Sequence, residues 1–139
     1  MKVFLDTNIL IDFLTNRPPF SSEALEIFAL AEKNKITLYT STHSIAATHY
    51  ILKKYVEEKQ LRRLLSELSD RMTILDISQS IIKSSLKSAH KDFEDAIQML
   101  TAESAGEINY ILTRNLKDFK TSLIPAVSIQ DFLSVLNSG

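Results

Sequence analysis

The sequence predicts an α/β fold in which a parallel sheet carries helices on both faces, and three observations carry that prediction. Short apolar runs such as Val3-Phe4-Leu5 and Tyr110-Ile111-Leu112 lack polar alternation, as strands covered on both sides do. The segments between such runs repeat their apolar residues at helical spacing. Strand and helix alternate nearly throughout, so right-handed crossovers bring the carboxyl ends of the strands to one edge.

The first dozen residues set the pattern. Val3, Phe4 and Leu5 read as a buried strand; Asp6, Thr7 and Asn8 are helix-capping types; Ile9, Leu10, Phe13 and Leu14 follow at helical spacing. A carboxylate therefore stands where a buried strand ends and a helix begins, the place where open α/β sheets form ligand sites. A plain N-cap would account for Asp6. Thr7 or Asn8 could cap equally well, however, and a carboxylate held against buried strand residues is costly unless paired or on a metal.

Residues 16–20 hold two prolines and read as a loop. A helix then runs from Ser21 or Ser22 to about Lys33, with Ala24, Leu25, Ile27, Phe28 and Ala31 inward. Residues 36–40 form the second strand. Ser41 or Thr42 opens a third helix with Ile45, Ala46, His49, Ile51 and Leu52 on a mostly apolar face. Residues 53–69 continue it or form another, around Val56, Leu61, Leu64, Leu65 and Leu68. A third strand at 72–75 precedes a helix opened by Ser78, with Ile81, Ile82, Ser85 and Leu86 as its buried stripe. Asp92 begins the next helix, which reaches about Ala105 and is capped by Gly106. Strands at 109–113 and 126–128 and a closing helix at 129–136 complete the chain.

At 139 residues, 45% hydrophobic and 24% charged, the composition suits a single folded domain over 1–139 rather than a disordered chain. The absence of cysteine excludes disulfides and thiolate metal sites and fits a reducing compartment. No signal peptide is visible, and no apolar stretch reaches the roughly 18 residues of a membrane helix, so a cytoplasmic location without a membrane partner is expected. The net charge of −1 argues against a strongly basic nucleic-acid coat, though not against a local basic patch.

Side-chain oxygens reach the sheet edge from Asp6, from Asp92 and Asp95 at a helix start, from Asn115 after a strand, and from Asp118. Asp92 is explained by capping, and Asn115 and Asp118 are also common turn types. Asp95, directly before the inward-turning Ala96 and Ile97, is explained less well that way. Carboxylates that converge raise one another's pKa, and a divalent cation offsets the repulsion. Oxygen ligands without Cys or paired His select a hard ion, Mg²⁺ or Mn²⁺, which favours phosphate-ester substrates.

Three blocks, Val3-Phe4-Leu5-Asp6-Thr7-Asn8-Ile9-Leu10, Asp92-Phe93-Glu94-Asp95-Ala96 and Ile111-Leu112-Thr113-Arg114-Asn115-Leu116-Lys117-Asp118-Phe119, together resemble the PIN domain. The likeness is closest to the small bacterial branch related to VapC-type toxins and extends over nearly the whole chain. It implies a three-layer α/β/α fold with a mostly parallel sheet of about five short strands. It further implies Mg²⁺- or Mn²⁺-dependent endoribonuclease activity on an RNA substrate, a homodimer and, for toxin members, a cognate antitoxin. By position, Asp6 matches the family's first metal ligand, Asp95 the acidic residue of its Asp-Ala pair, and Asp92 the frequent neighbour before it. Asn115 stands where many members carry Asp, and Asp118 matches the acidic residue of the Asp-Phe ending; with Asp6 and Asp95 these make the expected catalytic set. Thr7, Asn8 and Thr113 match polar positions that align ligands and water.

One position departs from the pattern. The family's second acidic residue lies early on the helix after strand two, and here that place is Ala47. Fewer charges weaken metal binding. His43, Thr48 or His49 could compensate, but His49 reads as a packing residue with its nitrogens satisfied locally. Among the basic residues, Arg114 and Lys117 are the candidate RNA phosphate contacts, since they flank the acidic loop; Lys53, Lys54, Lys59, Arg62 and Arg63 read as a solvated helix face. The competing reading is a PIN fold with weakened catalysis that serves as an RNA- or protein-binding module. An aspartyl-phosphate phosphatase would want a second Asp where Asn8 stands, and a receiver domain would have to use Asp76.

Overall fold

The computed structural model describes residues 1–138. The first strand, β1 (Lys2–Leu5), lies at the centre of a five-stranded sheet. It is flanked by β2 (Thr37–Ser41) and β4 (Tyr110–Leu112), with β3 (Thr73–Leu75) and β5 (Ala126–Val127) at the edges, and every pairing is parallel. Phe4 stands level with Tyr39 on one side and Ile111 on the other. Because side chains alternate along a strand, the three apolar residues of β1 divide between two cores.

Val3 and Leu5 enter the larger core. It is closed by α1 (Thr7–Thr15), α2 (Phe20–Glu32), α4 (Glu58–Ser69) and α7 (Ile129–Ser138), through Ile9, Leu10, Phe28, Leu61 and Phe132 among others, with Leu52 from α3 (Thr42–Leu52). Phe4 enters the smaller one with Tyr39, Ile111 and Phe119, under Met99 and Ala102 of α6 (Phe93–Ser104). α5 (Gln79–Lys87) packs on α6. The result is the three-layer α/β/α arrangement expected, with an all-parallel sheet. Phe132 is fully buried and anchors the last helix, so Phe132→Ala is expected to lower stability by about 3–5 kcal/mol in denaturant unfolding.

The details differ where burial was inferred from spacing alone. The chain breaks after Leu52, and a separate α4 starts with Glu57 as its cap, accepting from the Gln60 N–H at 3.1 Å. Leu25 and Leu86, both expected inside, are largely exposed; in α5 only Ser85 is buried. The buried face of α3 is Ser44, Thr48 and Leu52 rather than the apolar stripe expected, and Ile51 is exposed. The reason is tertiary: the first turns of α3 face a polar network beneath Asp6 instead of the core. Residues 116–119, expected as a loop, wind into one 3₁₀ turn that buries Phe119. α6 ends where expected, with Gly106 beyond it at φ 76°, a left-handed conformation glycine adopts without strain.

Candidate active site

The sheet order changes direction at β1, with β2 and β3 to one side and β4 and β5 to the other. The crevice outside the carboxyl ends of β1 and β4 is thus the topological switch point, where such sheets bind ligands. Asp6 leaves β1 there, and its N–H donates to the Leu112 carbonyl of β4 at 3.0 Å. Its side chain is 6% exposed. Oδ1 accepts from the Thr7 N–H (2.9 Å) and Gln98 Nε2 (3.2 Å); Oδ2 accepts from Thr113 Oγ1 (2.8 Å) and Asn8 Nδ2 (3.4 Å). Such partners are what a buried carboxylate requires.

Gln98 is the member that the sequence did not expose. Its amide is buried and fixed from both ends: Ser41 Oγ donates to Oε1 at 2.6 Å, and Nε2 donates to Ser44 Oγ at 2.6 Å as well as to Asp6. Thr7 Oγ1 also donates to Ser44 Oγ, at 3.0 Å. The network therefore ties α6, α3 and α1 to the end of β1. A signal existed: Gln98 interrupts the apolar run Ala96, Ile97, Met99 and lies one turn after Asp95 on the same helix face.

Asp92 caps α6, its Oδ2 accepting from the Asp95 N–H at 3.0 Å. Asp95 is the electrostatic centre. Burial first, then the charges of Asp92, Asp6 and Asp118, push its carboxyl up to about 7. Three separate stretches of chain thus act on one group. Asp95 faces a pocket of about 220 Å³ together with Asp6, Asn8, Gln98, Asn115 and Ala47. His43 and Glu94, 3.9 Å apart, also line that pocket; Glu94 was not expected there. An outer cleft of about 850 Å³ shares Asp95 and Asn115 with it and contains Asp92, Lys117 and Asp118.

The remaining expected residues fall as follows. Thr113 accepts from the Asn115 N–H at 3.0 Å while holding Asp6, and Asn8 Oδ1 accepts from the Arg114 N–H at 3.4 Å. The Asp118 N–H donates to the Asn115 carbonyl, which sets the acidic side chain in the 3₁₀ turn beside the cleft. Lys117 is exposed at that cleft. The guanidinium of Arg114 turns elsewhere: it makes a two-pronged pair with buried Asp12, at 2.7 and 3.1 Å, and lies 4.3 Å from the Phe20 ring centroid. His49 pairs with Glu58 of α4 at 2.9 Å.

Among the described residues, no group of three or more His, Asp or Glu side chains stands close enough to enclose a metal ion. The donors present nevertheless fit Mg²⁺, which keeps several waters and is commonly bound through only one or two carboxylates. Asp6 and Asp95 are such a pair of oxygen donors facing one pocket, and the raised Asp95 carboxyl reflects burial first and then neighbouring negative charge, which a cation offsets.

No helix is long and apolar enough to cross a membrane among the described residues. No protein of curated function matches the sequence. The fold is similar to a chain of a toxin–antitoxin complex from Klebsiella pneumoniae, with 32% identity, a TM-score of 0.67, and 91% of this chain and 97% of that one covered. It is also similar to VapBC-1 from nontypeable Haemophilus influenzae (21% identity, TM-score 0.69, 94% and 99% covered). A third likeness is to VapC20 of Mycobacterium tuberculosis, a sarcin–ricin-loop-cleaving toxin (15% identity, TM-score 0.64, 78% and 86% covered). The family model of the PIN domain matches residues 2–117, so the three sequence blocks, the switch-point carboxylates and the sheet order have one explanation: the chain belongs to the PIN domain family.

Proposed function

We propose that this chain is a divalent-metal-dependent endoribonuclease that hydrolyses RNA phosphodiesters, and that it is the toxin of a toxin–antitoxin pair. The observation that carries the reading is Asp95, a partly buried carboxyl raised to about 7 by burial and by acidic residues from separate segments, in a pocket at the switch point. Asp6 and Asp95 would hold Mg²⁺ or Mn²⁺, with Asp92 and Asp118 adding negative charge from the outer cleft. An ion there supplies positive charge to a phosphate and offsets the carboxylates' repulsion. Thr113, Gln98 and Asn8 keep the Asp6 carboxylate oriented, and Asn115, at the junction of pocket and cleft, presents an amide able to donate to a phosphate oxygen. Similarity to a chain of the Klebsiella complex supports a cognate antitoxin; we extend the reading to a cytoplasmic, single-domain, homodimeric protein.

The test is cleavage of RNA with Mn²⁺, with chelator, and by Asp6→Asn. Cleavage is expected only for wild type with metal; equal cleavage by Asp6→Asn overturns the proposal. Metal that binds only the folded state must also raise the thermal midpoint, equivalent to about 2.7 kcal/mol at a hundredfold excess over Kd.

One observation favours a second reading, a binding module without catalysis. Ala47 lines the inner pocket at the position of the family's second acid, and its methyl group cannot ligate. RNA bound but never cut would select that reading.

A further inference from the structure

We propose that single-stranded RNA crosses this site with its sugar–phosphate backbone in the outer cleft and a base laid on Tyr50 at the far end of α3. The proposal rests on the ribonuclease reading for the identity of its ligand. Lys91, Lys117 and Lys120 converge on the 850 Å³ cleft from the segment before α6 and from the 3₁₀ turn. None of the three is in an ion pair among the described residues, whereas Lys2, Arg62, Arg71 and Arg114 are. Asp92, Asp95 and Asp118 line the same cleft, and the three lysines are its groups available to an anion. Consecutive phosphates are such an anion, and the cleft leads directly into the pocket of Asp6 through Asp95 and Asn115.

Beyond Asp6 the pocket wall is α3. His43, Ala47 and Ile51 line it, four residues apart on one helix face. Tyr50, three residues after Ala47, stands at the edge of that face, 65% exposed, beside Ile51 at 44%. Lys53 Nζ lies over one face of the Tyr50 ring, 4.8 Å from its centroid, so a base takes the opposite face or displaces the flexible lysine. An exposed ring and aliphatic side chain, next to a cation and on the wall of a pocket that opens into a cleft bearing three lysines, match what a nucleotide offers: a flat π-face joined to a charged backbone. A base can reach such a ring only when it is not stacked within a duplex, which specifies a single strand. Three lysines without ion-pair partners among the described residues, together with an exposed aromatic ring, favour this occupant over a protein segment.

The test measures binding separately from cutting. A fluorescent 2′-O-methyl oligoribonucleotide, which resists cleavage, is titrated by anisotropy at several salt concentrations. The combined Lys91→Ala, Lys117→Ala and Lys120→Ala variant is expected to lower the slope of log Kd against log salt by about 2, since each phosphate contact on a single strand contributes about 0.7. Tyr50→Ala is expected to weaken binding about tenfold or more with the slope unchanged. All four positions are at the surface, so unchanged thermal midpoints serve as the folding control. An unaltered slope in the lysine variant, unaltered affinity in Tyr50→Ala, equal binding of a duplex, or no binding by wild type each overturns the inference. Binding with these signatures but no cutting of unmodified RNA overturns the ribonuclease reading and leaves this one standing. Cutting that persists while the lysine variant keeps its slope overturns this one alone.

Discussion

Asp95→Asn is expected to abolish RNA cleavage and at the same time to make the protein more stable at pH 8. The folded protein raises the Asp95 carboxyl from 3.8 to about 7, mainly through burial and then through Asp92, Asp6 and Asp118. Between those values the folded chain binds a proton that the unfolded chain has released, so stability falls as pH rises through the window. Above pH 7 the whole cost is present. Asparagine cannot ionise, so the variant escapes it, while the capping bond from the residue-95 N–H to Asp92 is kept. The full shift corresponds to about 4 kcal/mol, and partial solvent access reduces the expected gain to roughly 1–2 kcal/mol at pH 8, disappearing by pH 4. Urea unfolding at the two pH values reads it directly. A destabilised variant at pH 8 would mean that Asp95 is a structural anchor and no part of a repelling cluster. The trade of stability for activity is the usual mark of a working site.

Arg114→Ala is expected to be the most damaging single surface-side substitution, at about 3–5 kcal/mol. Asp12 is 1% exposed and its carboxylate is held by the two-pronged Arg114 contact. Removing the cation strands a buried charge on α1. Replacing both partners, Asp12→Leu with Arg114→Met, is expected to recover most of the loss, because two apolar groups leave nothing unpaired. Cleavage in the double variant then separates two roles. The backbone N–H of residue 114 donates to Asn8 in every variant, so what the Arg114 side chain adds to the loop carrying Thr113 and Asn115 is its tether to Asp12 on α1. If the double variant is stable but cuts slowly, that loop is what the ion pair holds in place. If it is as unstable as Arg114→Ala alone, the pair does not account for the loss.

How much of this was readable beforehand depends on whether a residue's surroundings are local. The strands were legible because Val3-Phe4-Leu5 and Ile111-Leu112 carry their burial in their own composition. Asp6 was legible as a candidate because a carboxylate at the end of a buried strand needs partners; it does cap α1, and its further partners come from distant Gln98 and Thr113. The pairing of Arg114 with Asp12 was not legible because the two are 102 residues apart, and nothing near either residue announces it. The polar inner face of α3 was hidden for a related reason. Ser44 and Thr48 are ordinary surface types; the amide of Gln98 and the hydroxyl of Thr7 partner buried Ser44, and Thr48 satisfies its hydroxyl on the Ser44 carbonyl of its own helix. Leu25 and Leu86 err in the opposite direction, as apolar residues on faces that no neighbouring element covers.

The central strand has a consequence for when, during synthesis, the site can form. Val3 finds its register partner in Tyr110, and the bond from Thr113 to Asp6 spans 107 residues. At translation speeds of about 5–20 residues per second, the amino-terminal carboxylate waits roughly 5–20 s for the segment that completes its surroundings. A nascent chain still emerging from the ribosome, or a fragment left by early termination, has no assembled centre. The topology thus delays assembly of the centre until the segment around Thr113 has been made.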